Sequence, residues 1–300
     1  MKRSIRTWFL MLFMALALFS AACAEAGGDK GEVVVGSTNF AEQEIVANMY
    51  ADVLEEAGYT VERRFQLGAR EVVYPAIEGG DIDVYPEYVG TLLEFLTGGS
   101  GEATSDTAET VAKLREQLPE ELTVLEPADA QDANALVVTP ETADEHGLAN
   151  ISDLEAVAGD LVLGGPPECP QRPLCIPGYE ETYGITFGEF RPLDAGGPLT
   201  VEALDSGDID VALMFTTQGV IDEKGWVVLQ DDGGLQPAEN VIPLVRQDVV
   251  DDELTGLLND VSAALTTERL TELNKRVDVD GEEPADVASA FLVEEGILEG

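Results

Sequence analysis

The chain has 300 residues, with 59 acidic against 16 basic side chains and a formal net charge of −43 at pH 7. A chain this acidic repels nucleic-acid phosphates, so nucleic acid is excluded as a partner. The single histidine, His146, lies in a polar stretch, and no Gly-x-Ser-x-Gly elbow, phosphate-binding glycine loop or calcium loop occurs. We therefore predict no enzyme activity, no cofactor and no metal site.

Residues 1–22 predict a secretion signal, because three basic residues precede an apolar run from Trp8 to Phe19. That run is too short for the roughly 20 residues that span a bilayer. Small residues before Cys23 are typical of bacterial lipoproteins, although Ser20 stands where Leu is usual. We predict an extracytoplasmic protein anchored to the membrane by a lipid on Cys23, with residues 23–31 as a flexible tether. Ordinary cleavage, giving a periplasmic or secreted protein, is the alternative.

The mature chain repeats one order of elements. Val33 to Gly36 predicts a short strand, and Ala41 to Ala57 carries apolar residues at helical spacing. The sequence Gly-Asp-Ile-Asp-Val occurs at Gly80–Val84 and again at Gly207–Val211, each time after a short helical pattern. Two similar α/β lobes with largely parallel sheets are expected, and ligand pockets form preferentially between such lobes. Chance duplication of a favourable turn is the alternative.

A strand is predicted again at Val241–Val245, followed by helical patterns over Asp252–Val277 and Pro284–Leu298. Between the two repeats, Cys169 and Cys175 have five residues between them. In an exported chain such a pair predicts a disulfide, and two sulfurs are too few to hold a metal ion.

Two stretches predict ligand contacts. Gly36–Phe40 joins a strand to a helix, with Asn39 and Glu42 spaced as a capping box, and such loops open where ligands bind. In Asp83–Thr91, Pro86 is expected to end the strand and so to place two tyrosines towards the cleft. An aromatic face there binds a quaternary ammonium with about 1–2 kcal/mol per ring. Helix capping for the first stretch, and packing for the second, are the alternatives.

These stretches, together with Leu67-Gly68, both repeats and the return strand ending at Arg246, resemble the glycine betaine/choline/carnitine-binding proteins of osmoprotectant ABC transporters. The resemblance implies a periplasmic-binding-protein type II fold: α/β, with two Rossmann-like lobes and a ligand cleft between them. It also implies an ABC permease and its ATPase as partners. The implied division is residues 32–132 for the first part of lobe 1, 133–238 for lobe 2 and 239–300 for the return to lobe 1.

Within the resemblance, Tyr88 matches a cage tyrosine, Thr91 a carboxylate contact and Phe215 the aromatic residue of the second lobe. At other positions of the site this chain departs from the family pattern. Asn134 and Asn240 stand where tyrosines are usual. Arg70 and Arg172 are expected to pair with ligand carboxylates. The predicted ligand-binding residues are Thr38, Asn39, Arg70, Tyr85, Tyr88, Thr91, Asn134, Arg172, Phe215, Thr216 and Asn240.

The predicted function is solute binding for an importer of glycine betaine, choline or a related quaternary ammonium compound. Two alternatives stay open. The same clamp fits a different small polar metabolite, such as an amino acid derivative or another amine, and a sensory lipoprotein would use the clamp to signal.

Overall fold

The computed structural model of the protein describes residues 30–299. The predicted signal peptide, the lipidation site Cys23 and most of the tether lie outside the described residues. Within residues 30–299, every helix is too short or too polar to cross a bilayer.

Strands and helices alternate along most of the chain. The first part contains β1 (Glu32–Gly36), α1 (Ala41–Glu56), β2 (Thr60–Arg64), α2 (Arg70–Gly79), β3 (Val84–Tyr88), α3 (Val89–Thr97), α4 (Thr107–Gln117) and β4 (Leu122–Val124). The middle part contains β5 (Asn134–Val138), α5 (Pro140–His146), β6 (Val162–Gly165), α6 (Ile176–Tyr183), β7 (Glu189–Pro192), α7 (Pro198–Ser206), β8 (Val211–Phe215), α8 (Val220–Lys224) and β9 (Val227–Val228). The last part contains β10 (Val241–Arg246), α9 (Asp252–Ala264), α10 (Thr267–Asp278) and α11 (Pro284–Glu294). Short 3-10 turns lie at Ile151–Ala156, Ala158–Asp160 and Gln247–Val249.

The strands form two five-stranded sheets with the same internal arrangement. The order is β2-β1-β3-β10-β4 in the first sheet and β7-β6-β8-β5-β9 in the second. In each sheet four strands run in one direction, and one antiparallel strand, β10 or β5, lies between two of them and arrives from the other lobe. Buried apolar clusters lie on both faces of each sheet, as expected when helices cover both sides. The predicted α/β fold with two Rossmann-like lobes is confirmed.

The repeated Gly-Asp-Ile-Asp-Val sequence has one structural role in both lobes. Its glycine ends the preceding helix in a left-handed conformation, with φ of +81° at Gly80 and +74° at Gly207. Its second aspartate, Asp83 or Asp210, accepts a backbone N–H of the neighbouring parallel strand, β1 or β6, at 2.8 Å. The motif therefore fastens a helix–turn–strand unit to the neighbouring strand in each lobe.

A close approach accompanies the motif. Its isoleucine packs on a glycine of the same neighbouring strand, where an added Cβ would lie 2.6 Å from Ile82 at Gly36 and 2.5 Å from Ile209 at Gly164. Real Cβ atoms do not approach a neighbour this closely, so both glycines are required by packing. The two lobes thus share contacts as well as sequence.

The chain crosses between the lobes twice, at residues 125–133 and 229–240. The two crossings run side by side in opposite directions. The Asp132 N–H donates to the Glu239 carbonyl at 3.0 Å, and the Val241 N–H donates to the Ala130 carbonyl at 3.0 Å. This short paired segment forms the floor of the cleft between the lobes.

Two local predictions are wrong. β3 continues through Pro86, which lies opposite Pro243 of β10, so two residues without a backbone N–H face each other in the ladder. The helical pattern predicted over Asp252–Val277 forms two helices, because Leu265 is extended and the Thr266 side chain caps α10 by accepting a backbone N–H.

Cys169 and Cys175 are joined in a disulfide in the loop between β6 and α6. Both cysteines are buried in the core of the second lobe. The bond closes the segment that carries Arg172 and holds it beside the cleft.

We predict that the two aspartates of each repeat differ sharply in their contribution to stability. Asp83→Ala and Asp210→Ala each leave a strand N–H without its acceptor, which lowers the free energy of unfolding by about 1–3 kcal/mol. Asp81→Ala and Asp208→Ala are matched controls, because these side chains are exposed and their removal costs less than about 0.5 kcal/mol. Urea unfolding of the four variants measures the difference. Equal losses within each pair would contradict the role assigned to the second aspartate.

Candidate functional site

A cavity of about 270 Å³ lies between the two lobes. Its walls come from the loops that follow β1, β6 and β7, from the ends of β3 and β8, from the start of α2 and from both crossings. These loops and strand ends cluster at the carboxyl ends of the parallel strands, which is where α/β proteins bind ligands. Eight of the eleven predicted residues line it: Thr38, Asn39, Arg70, Tyr88, Thr91, Asn134, Arg172 and Phe215.

Three aromatic rings form one wall of the cavity. The Phe40 ring centroid lies 6.4 Å from that of Tyr88 and 5.1 Å from that of Phe215, and the ring planes are close to parallel in both pairs, at 17° and 26°. Tyr88 and Phe40 belong to the first lobe and Phe215 to the second, so the stack crosses the cleft. Sequence reasoning missed Phe40, although it directly follows the predicted contacts Thr38 and Asn39. The wall offers π faces to a cation.

Glu42 lies behind this wall and connects both lobes. Its carboxylate accepts the Tyr88 hydroxyl at 2.6 Å, the Thr217 hydroxyl at 2.6 Å and the Asn274 side-chain amide at 2.7 Å. The predicted capping box of Asn39 and Glu42 is wrong, because the N-cap of α1 is Phe40 and no side chain caps it. Glu42 binds across the lobes instead.

Asp132, on the first crossing, is a second buried acid at the same wall. Its Oδ1 accepts the Thr217 N–H at 3.0 Å and the Thr216 hydroxyl at 3.3 Å. Burial, and then the charge of Glu42, hold the pKa of Asp132 well above its ordinary value, and burial raises the pKa of Glu42 as well. Two such neighbouring acids disfavour the state in which both are charged.

Within residues 30–299 no group of three or more acidic, histidine or cysteine side chains is arranged to hold a metal ion.

Arg70, at the start of α2, is bound by Glu87 of β3. The guanidinium donates from Nε and Nη2 to the two carboxylate oxygens, both at 2.7 Å, and from Nη2 to the Thr91 hydroxyl at 2.8 Å. Glu87 also accepts the Tyr85 hydroxyl at 2.6 Å and the Tyr88 N–H at 2.9 Å. This forked pair is buried, and both oxygens of the Glu87 carboxylate accept hydrogen bonds from the protein.

Glu239, on the second crossing, stands next to this pair. Its Oε2 accepts the Thr91 N–H at 3.1 Å and the Thr91 hydroxyl at 3.3 Å, while its buried Oε1 has no partner among the residues that the structure describes. Burial raises the pKa of Glu239 to about 8. The group therefore carries its proton through most of the neutral range.

Arg172 reaches from the disulfide loop of the second lobe to Glu71 of the first. Its Nε and Nη2 donate to the two oxygens of Glu71 at 3.1 and 2.9 Å. The pair bridges the lobes at the edge of the cavity. Both arginines that line the site are thus held by glutamates of the protein.

The structure places three predicted residues outside the cavity lining. Tyr85 is buried in the core under β3, because the strand does not stop at Pro86. Thr216 turns to Asp132 and to the Ala133 N–H. Asn240 is buried on the crossing, where it accepts the Thr107 hydroxyl at 2.7 Å and donates to a backbone carbonyl.

Known proteins with similar sequences and structures are solute-binding proteins. Residues 31–294 match the family described as the substrate-binding domain of the ABC-type glycine betaine transport system. The chain is 29% identical to the glycine betaine-binding protein YehZ of Escherichia coli strain K12, over 88% of this chain and 90% of that one. It is 27% identical to the carnitine transport binding protein OpuCC of Listeria monocytogenes, over 100% of this chain and 99% of that one.

A solved structure described as a glycine betaine/carnitine/choline ABC transporter superposes with a TM-score of 0.67 at 25% identity, covering 88% of this chain and 98% of that one. The family match includes every residue that lines the cavity. The match therefore spans both lobes and both crossings of this chain. The chain belongs to the family of substrate-binding domains of ABC-type glycine betaine transport systems.

Proposed function

We propose that the protein captures a quaternary ammonium solute outside the cell and delivers it to an ABC permease and its ATPase. The observation that carries this proposal is the aromatic wall of Phe40, Tyr88 and Phe215, backed by the buried acids Glu42 and Asp132. A quaternary ammonium has no N–H to donate, so it is held by π faces and by negative charge. The three rings supply the π faces, and the oxygens of the two buried acids supply negative partial charge behind them.

Closure of the lobes follows from the same contacts. Phe215 of the second lobe meets Phe40 of the first, and Thr217 meets Glu42, so the wall is complete only when the lobes are together. A ligand that touches both lobes stabilises this closed arrangement over an open one. We propose that the permease recognises the closed arrangement, as the named relatives belong to transport systems.

The export signal and Cys23 support an extracytoplasmic location with a lipid anchor. Either form, anchored or free, has the same two-lobed binding site.

We also propose that the protein binds its ligand without catalysing a reaction. The buried acids Glu42 and Asp132 are engaged in structural hydrogen bonds, and the family consists of transport binding proteins.

We predict that substituting the central ring weakens the binding of choline and other quaternary ammonium ligands. Phe40→Leu keeps an apolar side chain but removes the π face, which lowers affinity by about 2- to 30-fold. Phe190→Leu is the matched control, because Phe190 is equally half-buried but does not line the cavity. Titration calorimetry of both purified variants measures the effect. Equal affinity of Phe40→Leu and the wild type would contradict the aromatic wall.

We predict a pH dependence that comes from Glu239. Since its pKa is raised to about 8, the group loses its proton as the pH rises from about 7 to 9 and adds a negative charge to the cavity. Choline stays a cation throughout this range, so its affinity is expected to increase with pH. Glu239→Gln removes the titrating group, and its affinity is expected to change less over the same interval. Parallel pH profiles in the two proteins would disprove this assignment.

A further inference from the structure

Both arginines that line the cavity are already occupied. A ligand carboxylate is held best by a guanidinium whose forked N–H groups are available. Arg70 gives its Nε and one Nη to Glu87, and Arg172 gives the same two atoms to Glu71. Each guanidinium is therefore neutralised by a glutamate of the protein, and only the N–H groups not used in these pairs remain for a ligand carboxylate.

The inner pair is the harder to break. The side chains of Arg70 and Glu87 are only 12% and 2% exposed. Turning Arg70 towards a ligand would leave Glu87 buried with only the Tyr85 hydroxyl and one N–H as partners. Leaving a buried charge without its counter-ion is strongly destabilising, so this pair is expected to persist when ligand binds.

The polar atoms that remain available at the cavity point to a different kind of ligand. Gln43 Oε1 and Glu239 Oε1 are buried in its lining and have no partner within residues 30–299. An amide oxygen accepts a hydrogen bond, and a carboxyl oxygen accepts one when ionised and can donate one when protonated. A ligand hydroxyl can pair with either atom, because it can donate and accept. A ligand carboxylate only accepts, so it leaves the amide oxygen of Gln43 unpaired.

We propose that this cavity, in its proposed function of binding a quaternary ammonium solute, selects ligands whose other end is an alcohol over ligands whose other end is a carboxylate. Glu87 and Glu71 set the preference by occupying the two arginines. Gln43 Oε1 completes the preference, because only a ligand that can donate a hydrogen bond pairs with this acceptor.

Choline and glycine betaine form a matched pair of probes, since they share the trimethylammonium group and differ in a hydroxymethyl against a carboxylate. Calorimetric titration of the wild-type protein is expected to show choline bound about 10- to 100-fold more tightly, which corresponds to the cost of leaving a buried acceptor unpaired when glycine betaine binds. Equal or tighter binding of glycine betaine would overturn this inference and leave the proposed function standing. Failure of both probes and of carnitine to bind would overturn the proposed function and this inference with it.

A variant tests the role of the glutamates. Glu71→Gln removes the charge that holds Arg172, so the ratio of choline affinity to glycine betaine affinity is expected to fall by about tenfold. Glu282→Gln is the matched control: it releases Arg276 from a forked pair of similar exposure, 31% and 41% against 28% and 39%, away from the cavity. The control is expected to keep the wild-type ratio.

Glu87→Gln applies the same test to the inner pair. Because this site is buried, circular dichroism and urea unfolding first establish that the variant folds. A fall in the affinity ratio in either glutamate variant, with no fall in the control, supports the proposal. An unchanged ratio in Glu71→Gln and in any folded Glu87→Gln protein overturns it.

Discussion

Glu42 is a carboxyl group in the interior of a protein, where an isolated charge would be prohibitively costly. It persists because four parts of the chain meet around it: α1, which carries it, the end of β3, the segment after β8 and α10. Thr217 belongs to the second lobe, so the acid is fully bonded only when the lobes meet. The position of the aromatic wall depends on this hub, since Tyr88 donates its hydroxyl to it.

In this strongly acidic protein, both arginines of the cleft are paired with glutamates. Most of its acids lie on the surface, but Glu42, Glu87, Asp132 and Glu239 are buried around the cavity. Each is bonded differently. Glu42 accepts from neutral donors of both lobes, and Glu87 accepts from a guanidinium. Asp132 accepts from a backbone N–H and a hydroxyl, and Glu239 accepts hydrogen bonds at only one of its two oxygens. The differences in bonding, rather than the number of acids, define what the cavity can accept.

The fold was largely predictable because its signals are local. Hydrophobic periodicity placed β1, α1 and α2, and the repeated motif reported the two lobes, since its glycine and second aspartate act within a few residues or on the adjacent strand. The loops of the site were predictable for the same reason. Long-range partners were not: Glu42 and Thr217 are 175 residues apart, and Glu42 and Asn274 are 232 apart. In a chain with 59 acids, no local pattern distinguishes such a residue.

The paired crossings under the cleft have a mechanical consequence. Two antiparallel segments joined by backbone hydrogen bonds, as at Asp132 with Glu239 and at Ala130 with Val241, form a ribbon rather than two independent tethers. A ribbon bends readily about the line across its width but resists shear in its own plane, because shear breaks the hydrogen bonds that join its edges. The lobes are therefore guided along one arc, and the two halves of the aromatic wall return to the same register each time they meet.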